Sequence, residues 1–468
     1  DKDAQKQEIQ DRYEKLRAIL PTIQGKKSSV KSTFSRKLDA ILIHRFWGYF
    51  IFSGVLLIIF QFIFAFATFP MDWIEHLFIT LSAWLSGALP DGVLNNLLTQ
   101  GILPGIAGVL MFIPQIALLF FFIALLEESG YLSRVVFIMD RLMRPFGLNG
   151  KSIVPLMSSV ACAIPGIMAT RTISDWKERL ITIIIAPLMS CSARIPVYTL
   201  LIALVIPKTY VFGFISLQGL VLFALYSLGL VAALLLALVL KKFIRSKDKG
   251  FLIMEMPEYK KPRWSNIMIS ITEKIKVFVW DAGKVILAIS IILWVLAAYG
   301  PSDSMSSKIK AVKETSLYKK STEPQKETMI ASAKLEGSFI GITGKYIEPI
   351  ISPLGYDWKI GISLISSFAA REVFVGSLST IYAVHDENER HENLQTHLKE
   401  ARRSDGTPVY SLATGASLMV FYVFAMQCMA TLAVVKKETK SWRWPLIQLV
   451  IMGIMAYVGA LITYLLLT

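Results

Sequence analysis

Long uncharged stretches alternate with short basic ones along the chain. No Asp, Glu, Lys or Arg lies between Asp91 and Glu127 (35 positions), Lys208 and Lys241 (32), Asp405 and Lys436 (30), Arg45 and Asp72 (26), or after Arg443 (25). About 20 apolar residues cross a bilayer core as a helix, so all five stretches are long enough. The pattern predicts spans at about 44–69, 102–126, 178–206, 213–240, 281–300, 412–435 and 444–467. Ahead of them, residues 1–40 are polar and basic, with Ile9, Tyr13, Leu16 and Leu20 at helical spacing. Residues 70–101 contain no Lys or Arg, and Trp73, Leu77 and Trp84 give part of them an interfacial character. Residues 127–146 are amphipathic and too charged to span, which predicts an interfacial helix.

Two apolar stretches are interrupted. Residues 152–170 (SIVPLMSSVACAIPGIMAT) carry Pro155, Pro165 and Gly166. A proline inside a helix removes a hydrogen bond and crowds the preceding turn, so a re-entrant hairpin is expected there. The span at 178–206 is broken at Ser190–Pro196. The hairpin has a counterpart. At an offset of 208, residues 128–173 lie over 336–381 without a gap, and ten of 46 positions are identical. Chance gives about three. The shared serines are Ser158/Ser366 and Ser159/Ser367. Three predicted spans separate the copies, which inverts the second. Inverted repeats with broken helices are a transporter pattern. A helix that stops inside the bilayer leaves unpaired carbonyls or amides, tolerated only against protein or an aqueous cavity.

The chain therefore reads as an all-α polytopic membrane protein, an inverted-repeat transporter with two re-entrant hairpins. Its parts are a linker region at 1–40, N-terminal spans at 41–126, a first repeat at 127–245, a basic segment and connecting span at 246–300, a polar extracytoplasmic loop at 301–335, and a second repeat at 336–468.

Composition agrees. Of 468 residues 54% are hydrophobic and 18% are charged, with mean hydropathy +0.54. Soluble domains carry about 25% charged residues, so a water-soluble, disordered or coiled-coil chain is excluded. The net charge of +15 is a topological signal, not a nucleic-acid one. With the N-terminus inside, 32 of the 49 Lys and Arg fall on inside segments and 12 on outside ones, as the positive-inside bias requires. The chain begins at Asp1 without Met and without a signal peptide, so a fragment lacking its N-terminal part is expected.

Three cysteines, Cys162, Cys191 and Cys428, all lie in apolar stretches, which is no disulfide framework. Cys428 aligns with Cys191 at an offset of 237. Thiolates are soft ligands suited to Fe(II) or Zn(II) rather than Mg(II) or Ca(II); a free cysteine also serves as a small buried apolar side chain. Met168, Met189, Met426 and Met429 are thioether candidates or core fillers. Ionisable residues within a membrane segment are functional or paired. They are Arg194, Arg371 and Glu372, and Glu372 either holds a divalent cation or pairs with Arg371 or Arg194. Pro165, Gly166 and the four serines shape the hairpins. Glu127 and Glu128 stand at the inner mouth as an entry or exit, and His385, His391 and His397 lie in a polar loop. No catalytic constellation appears. Pro145–Ser152 ends in Gly-Lys-Ser, but no strand precedes it and the phosphate-loop context fails.

Longer motifs carry a family resemblance. EESGYLSRVVFIMDRLMRPFGLNGKSIVPLMSSVACAIPGIMATRT (127–172) resembles the first Gate region of FeoB, the bacterial ferrous iron transport protein B. APLMSCSARIPVY (186–198) resembles the segment after it, and SSFAAREVFVGSLSTIY (366–382) the second Gate region. MQCMATLAVVKKETKSWRWP (426–445) resembles the start of the C-terminal part. The resemblance implies Fe(II) as transported substrate, with Cys162 and Cys191 on its path. It also implies a fold similar to concentrative nucleoside transporters. It places the protein in the bacterial inner (cytoplasmic) membrane with a cytoplasmic N-terminus. GTP and Mg(II) belong to an N-terminal G domain that is not in this chain. FeoA- or FeoC-like small cytoplasmic proteins and a homo-oligomer are the implied partners, with membrane lipid and without nucleic acid. Family members usually carry Asn after the first cysteine; Ala163 stands here and opens a manganese reading. The Gate architecture alone also leaves open a nucleoside-type solute transporter, against which the three apolar-segment cysteines speak, and a non-transporting membrane scaffold is the remaining alternative.

Overall fold

The computed structural model describes residues 11, 14–15, 38–44, 46–90, 92–207, 209–211, 215–244, 259–314, 326, 330, 333–368, 371, 373–382, 395–399, 401–402, 407–426 and 428–468. Among them, seven segments are long and apolar enough to cross a membrane. The first two are α1 (Trp47–Ala88) and α2 (Val93–Glu128). An amphipathic helix, α3 (Tyr131–Met143), leads into α4 (Ile153–Ala161) and α5 (Ala163–Ala169). The third segment is a broken pair, α6 (Trp176–Ile185) and α7 (Ile195–Val205). A two-residue ribbon, β1 (Tyr210–Val211) against β2 (Ile215–Ser216), turns the chain into α8 (Leu217–Phe243). Next come α9 (Trp264–Ala298) and α10 (Ser302–Glu314). The second repeat runs through α11 (Phe339–Ile351), α12 (Trp358–Ser366) and α13 (Val373–Ile381). A second broken pair, α14 (Leu412–Phe424) and α15 (Met429–Thr439), precedes α16 (Arg443–Leu467).

Two helices outrun their expected limits. α1 does not stop at residue 69 but continues through Pro70 for 42 residues, about 63 Å at 1.5 Å per residue. It ends where Pro90 holds Leu89 extended (φ −99°, ψ 144°). The expected interfacial segment at 70–101 is thus mostly helix continuous with the spans. α9 starts at Trp264 instead of about 281, directly after the extended Arg263. Its charged residues Glu273 and Lys276 are exposed. Charge limits the buried part of a helix, but only proline or glycine ended these two. The polar loop expected at 301–335 opens with α10.

The internal repeat is a repeat of backbone. Shifted by 208, α3 coincides with α11, and the 3₁₀ turn Arg144–Phe146 coincides with Ser352–Leu354. Each turn closes on a left-handed glycine, Gly147 (φ +76°) and Gly355 (φ +80°), a conformation that costs other residues. Asn149 and Asp357 then cap the next helical turn in each copy.

The broken segments occupy the middle of the bundle. In α6–α7 and α14–α15, 72% and 65% of the most apolar window is buried, against 6–33% in the five continuous segments. Backbone groups freed by a break need protein partners in lipid, and each break has them. Pro187 has no N–H for the Ile183 carbonyl; Gln448 of α16 donates its Nε2 to Ile183 (3.1 Å) and Ile184 (2.9 Å) instead. Pro165 likewise leaves the Ala161 carbonyl free, and the Ser192 hydroxyl donates to it at 2.9 Å. Gly166 lets α5 fold back on α4. A Cβ there would collide with the Ser159 hydroxyl and sit 2.7 Å from the Pro155 carbonyl oxygen. Gly166→Ala is expected to destabilise the fold by about 1–3 kcal/mol, read as a fall in Tm in detergent micelles. An unchanged Tm would show that the hairpin is not packed this closely.

Ahead of α1, Asp39 accepts hydrogen bonds from Arg134 Nε (3.0 Å) and the Tyr259 hydroxyl (2.7 Å). Arg134 lies 4.2 Å from the Tyr259 ring centroid. The approach to α1, the helix α3 and the approach to α9 are thereby joined. Burial raises the Asp39 pKa, but the Arg134 and Tyr259 hydrogen bonds and the Arg134 charge outweigh it and hold it below its ordinary value. A depressed carboxylate pKa stabilises the fold above about pH 4 and loses that contribution as pH falls through the folded-state value. The Tm gap between wild type and Asp39→Asn is therefore expected to be full at pH 7 and to close below about pH 4. A gap independent of pH would contradict the ion pair.

Candidate functional site

All four interrupted elements put a residue from their break on the wall of one cavity of about 80 Å³. The first hairpin supplies Cys162, the α6–α7 break Cys191, the second hairpin Arg371 and the α14–α15 break Cys428. All three cysteines are extended, with φ/ψ of −155°/134°, −88°/163° and −150°/103°. Leaving helical geometry at these points turns the chain, so each cysteine stands between two helices rather than along one. Gln115 of α2, Ser192 and Thr431 add polar groups, and Phe112, Ile116 and Phe278 are among the apolar ones. Gln115 Nε2 donates to Ser192 Oγ (2.7 Å), which in turn donates to Ala161. One relay thus joins α2, the first hairpin and the first break.

Two buried arginines cap the carbonyl ends of the broken helices. Arg194 is fully buried and donates to the carbonyls of Pro187 (3.1 Å) and Leu188 (3.4 Å) and to Ser190 Oγ (3.1 Å). Arg371, 5% exposed, donates Nη2 to the Ala425 carbonyl just past α14 (3.4 Å). The Met429 N–H donates to the Phe368 carbonyl (3.1 Å), which sews the second hairpin to the second break. Helix C-termini carry partial negative charge, so these guanidiniums neutralise ends that would otherwise attract a cation.

The sequence-predicted residues divide clearly. Cys162, Cys191, Cys428 and Arg371 come together at the cavity; Arg194 stands behind it as a cap. The cysteines line the cavity without closing on a common point: among the described residues, no three His, Cys, Asp or Glu side chains gather within reach of one metal ion. Glu372, His385 and His391 lie outside the described residues. Met168 and Met426 are buried in the packed core and are not on the cavity wall. Ser158, Ser159 and Ser367 donate to carbonyls of their own helices, Val154, Pro155 and Leu364; Ser366 is also buried. Pro165 and Gly166 form the bend already described. Glu127 and Glu128 line a separate opening of about 440 Å³ with Lys260 and Asn266, and Asn266 donates to Glu128 at 3.1 Å. His397 is exposed. The Gly-Lys-Ser turn is a structural one, since its Gly150 N–H is taken by Asp140 Oδ1 (2.9 Å). Gln115, Ser192 and Thr431 do not stand out in the sequence. The signal for Gln115 is an amide within a 35-residue uncharged stretch.

Fold and cavity together define a multi-pass α-helical membrane protein whose interrupted segments meet at one cavity. The family model described as "Nucleoside recognition" (Gate) matches residues 109–205 and 279–442, and that described as "Ferrous iron transport protein B C terminus" matches residues 222–274. The chain belongs to the FeoB family, as part of its membrane domain. The Fe(2+) transporter FeoB of Leptospira interrogans serogroup Icterohaemorrhagiae serovar copenhageni is 43% identical over 428 residues, covering 92% of this chain and 59% of that protein. That of Methanocaldococcus jannaschii is 34% identical over 454 residues, with 97% and 62% covered. An Fe(2+) transport protein A/Fe(2+) transporter FeoB fusion protein of Porphyromonas gingivalis is 34% identical over 449 residues, with 94% and 52% covered. The chain thus spans between about half and three-fifths of these relatives. No solved structure matches it. One assignment is corrected: residues 426–442, expected at the start of the C-terminal part, fall within the Gate match, and the model described as the C terminus lies between the two Gate portions.

Proposed function

We propose that this chain is the membrane-embedded part of a ferrous-iron transporter of the bacterial cytoplasmic membrane, with its N-terminus inside. One observation carries the reading: three half-buried cysteines from three separate helix breaks face one cavity. Sulfur donors favour Fe(II) over Mn(II), Mg(II) and Ca(II). The thiols bind as thiolates, releasing protons as the metal enters. Cys162, Cys191 and Cys428 then close on Fe(II), with Glu372 as a carboxylate candidate from the second hairpin. The two hairpins are re-entrant and oppositely oriented, since three spans stand between them, and their alternating movement opens the cavity to each side. Glu127 and Glu128 receive the ion at the inner mouth as it leaves for the cytoplasm. In the full protein a GTP-binding domain with its Mg(II) drives or gates the cycle through residues 1–40. The fusion relative supports a small FeoA-like protein as partner.

The description of the Gate model favours a nucleoside reading, but the cavity opposes it. Small-molecule pockets occupy about 300–1,000 Å³, and this one is about 80 Å³ and lined mainly by cysteine and apolar groups. The test is uptake into proteoliposomes by the protein with its GTP-binding part, with and without GTP. Fe(II) is expected to accumulate in preference to Mn(II). Equal uptake of both, or preference for Mn(II), would overturn the substrate assignment.

A further inference from the structure

The carbonyl end of α14 already holds a cation, and that cation is a side chain. A helix C-terminus attracts positive charge. Here the attraction is satisfied by Arg371, which reaches across from the second hairpin to Ala425. Among the described residues only one edge of its guanidinium is used. Nη1 is buried and has no hydrogen-bond partner among the described residues, while the side chain lines the cavity that the three cysteines share. Arg194 differs. It spends both terminal amino groups on Pro187, Leu188 and Ser190, and it is not on the cavity wall. A buried guanidinium with donors to spare is held at a cost unless negative charge faces it. A divalent ion in a cavity of about 80 Å³ would stand within a few ångströms of that charge, where like charges repel strongly.

Resting on the reading of the cavity as the Fe(II) site, we propose that Arg371 is a tethered competitor of the transported cation. Its guanidinium holds the cation-favouring position of the three-cysteine cavity when no metal is bound, and a divalent ion must displace it. Two consequences follow for transport. Affinity is kept low enough for release, because the returning guanidinium helps to expel the ion. A monovalent ion gains little by exchange, because it replaces one unit charge with another and bonds weakly to thiolate.

The test uses the purified chain in detergent, Co(II) alone as probe, and the thiolate-to-cobalt absorption band as readout. Arg371→Gln removes the charge and keeps a donor for Ala425; it is expected to bind Co(II) at least tenfold more tightly than wild type. Arg371→Lys keeps the charge and loses the planar fork; it is expected to stay within threefold of wild type. Equal or weaker binding by Arg371→Gln overturns the proposal, as does a tenfold gain in Arg371→Lys. If Arg371→Gln fails to fold, the lysine variant still decides. Absence of the band in all three proteins overturns the proposal with the site. Fe(II) uptake is read separately. Tighter Co(II) binding in Arg371→Gln, with no Fe(II) transport by wild type, would strike the transport reading and leave the competitor standing.

Discussion

Replacing Cys162 and Cys191 together by serine is expected to weaken Fe(II) binding at least 100-fold and to reduce uptake to background. Losing a residue that only orients a metal ligand costs 10–100-fold, and here two direct sulfur donors go. Serine is close to cysteine in size, and the two positions come from different breaks, so the fold should survive. Anaerobic Fe(II) titration and proteoliposome uptake measure the effect, with Tm as the control for folding. Binding within threefold of wild type at an unchanged Tm would remove iron from this cavity. Cys428→Ser alone tests whether the second break contributes. A smaller loss is expected there, because two cysteines remain.

Glu438→Gln is expected to give the largest loss of stability. The Glu438 carboxylate is buried at the end of α15 and accepts from Arg171 Nε (3.0 Å) and Nη2 (2.5 Å) and from Arg179 Nη2 (2.7 Å). Arg171 follows the first hairpin and Arg179 begins α6, so one carboxylate ties the first repeat to the second broken pair. Breaking a buried pair from one side costs about 3–5 kcal/mol. Arg171 is half exposed and solvent screens its share, so the lower end, about 3 kcal/mol, is expected. Arg171→Gln should cost about 1 kcal/mol or less. Thermal unfolding followed by tryptophan fluorescence distinguishes the two. Equal small shifts would show that the cluster is a surface pair.

The three cysteines were legible because each sits where apolar sequence is locally spoiled. Pro165 follows Cys162, serines flank Cys191 ahead of Pro196, and Cys428 is found by the 237-residue offset. The 208-residue offset announced the repeat because turn chemistry is local: Gly147 and Gly355 must be glycines to adopt their left-handed turns. The partners that stabilise the breaks were not legible. Gln448 meets Ile183 from 265 residues away, and Gln115 meets Ser192 from 77. Nothing around either glutamine says which carbonyl or hydroxyl it will find. Helix limits failed where charge was used as a stop signal. Asp72, Glu75 and Glu273 are exposed on helices that run past them, whereas Pro90 and Pro262 mark the actual ends. Two thioether candidates stand off the cavity wall. Met168 and Met426 lie near the breaks in sequence, but both are turned into the core.

The most direct measurement is iron K-edge X-ray absorption of the chain loaded with Fe(II) under anaerobic conditions. Sulfur is expected in the first coordination shell, and in the Cys162→Ser/Cys191→Ser protein it should shrink to what Cys428 alone supplies. A first shell of oxygen and nitrogen alone, unchanged by those substitutions, would contradict a cysteine-lined iron site at the meeting point of the broken helices.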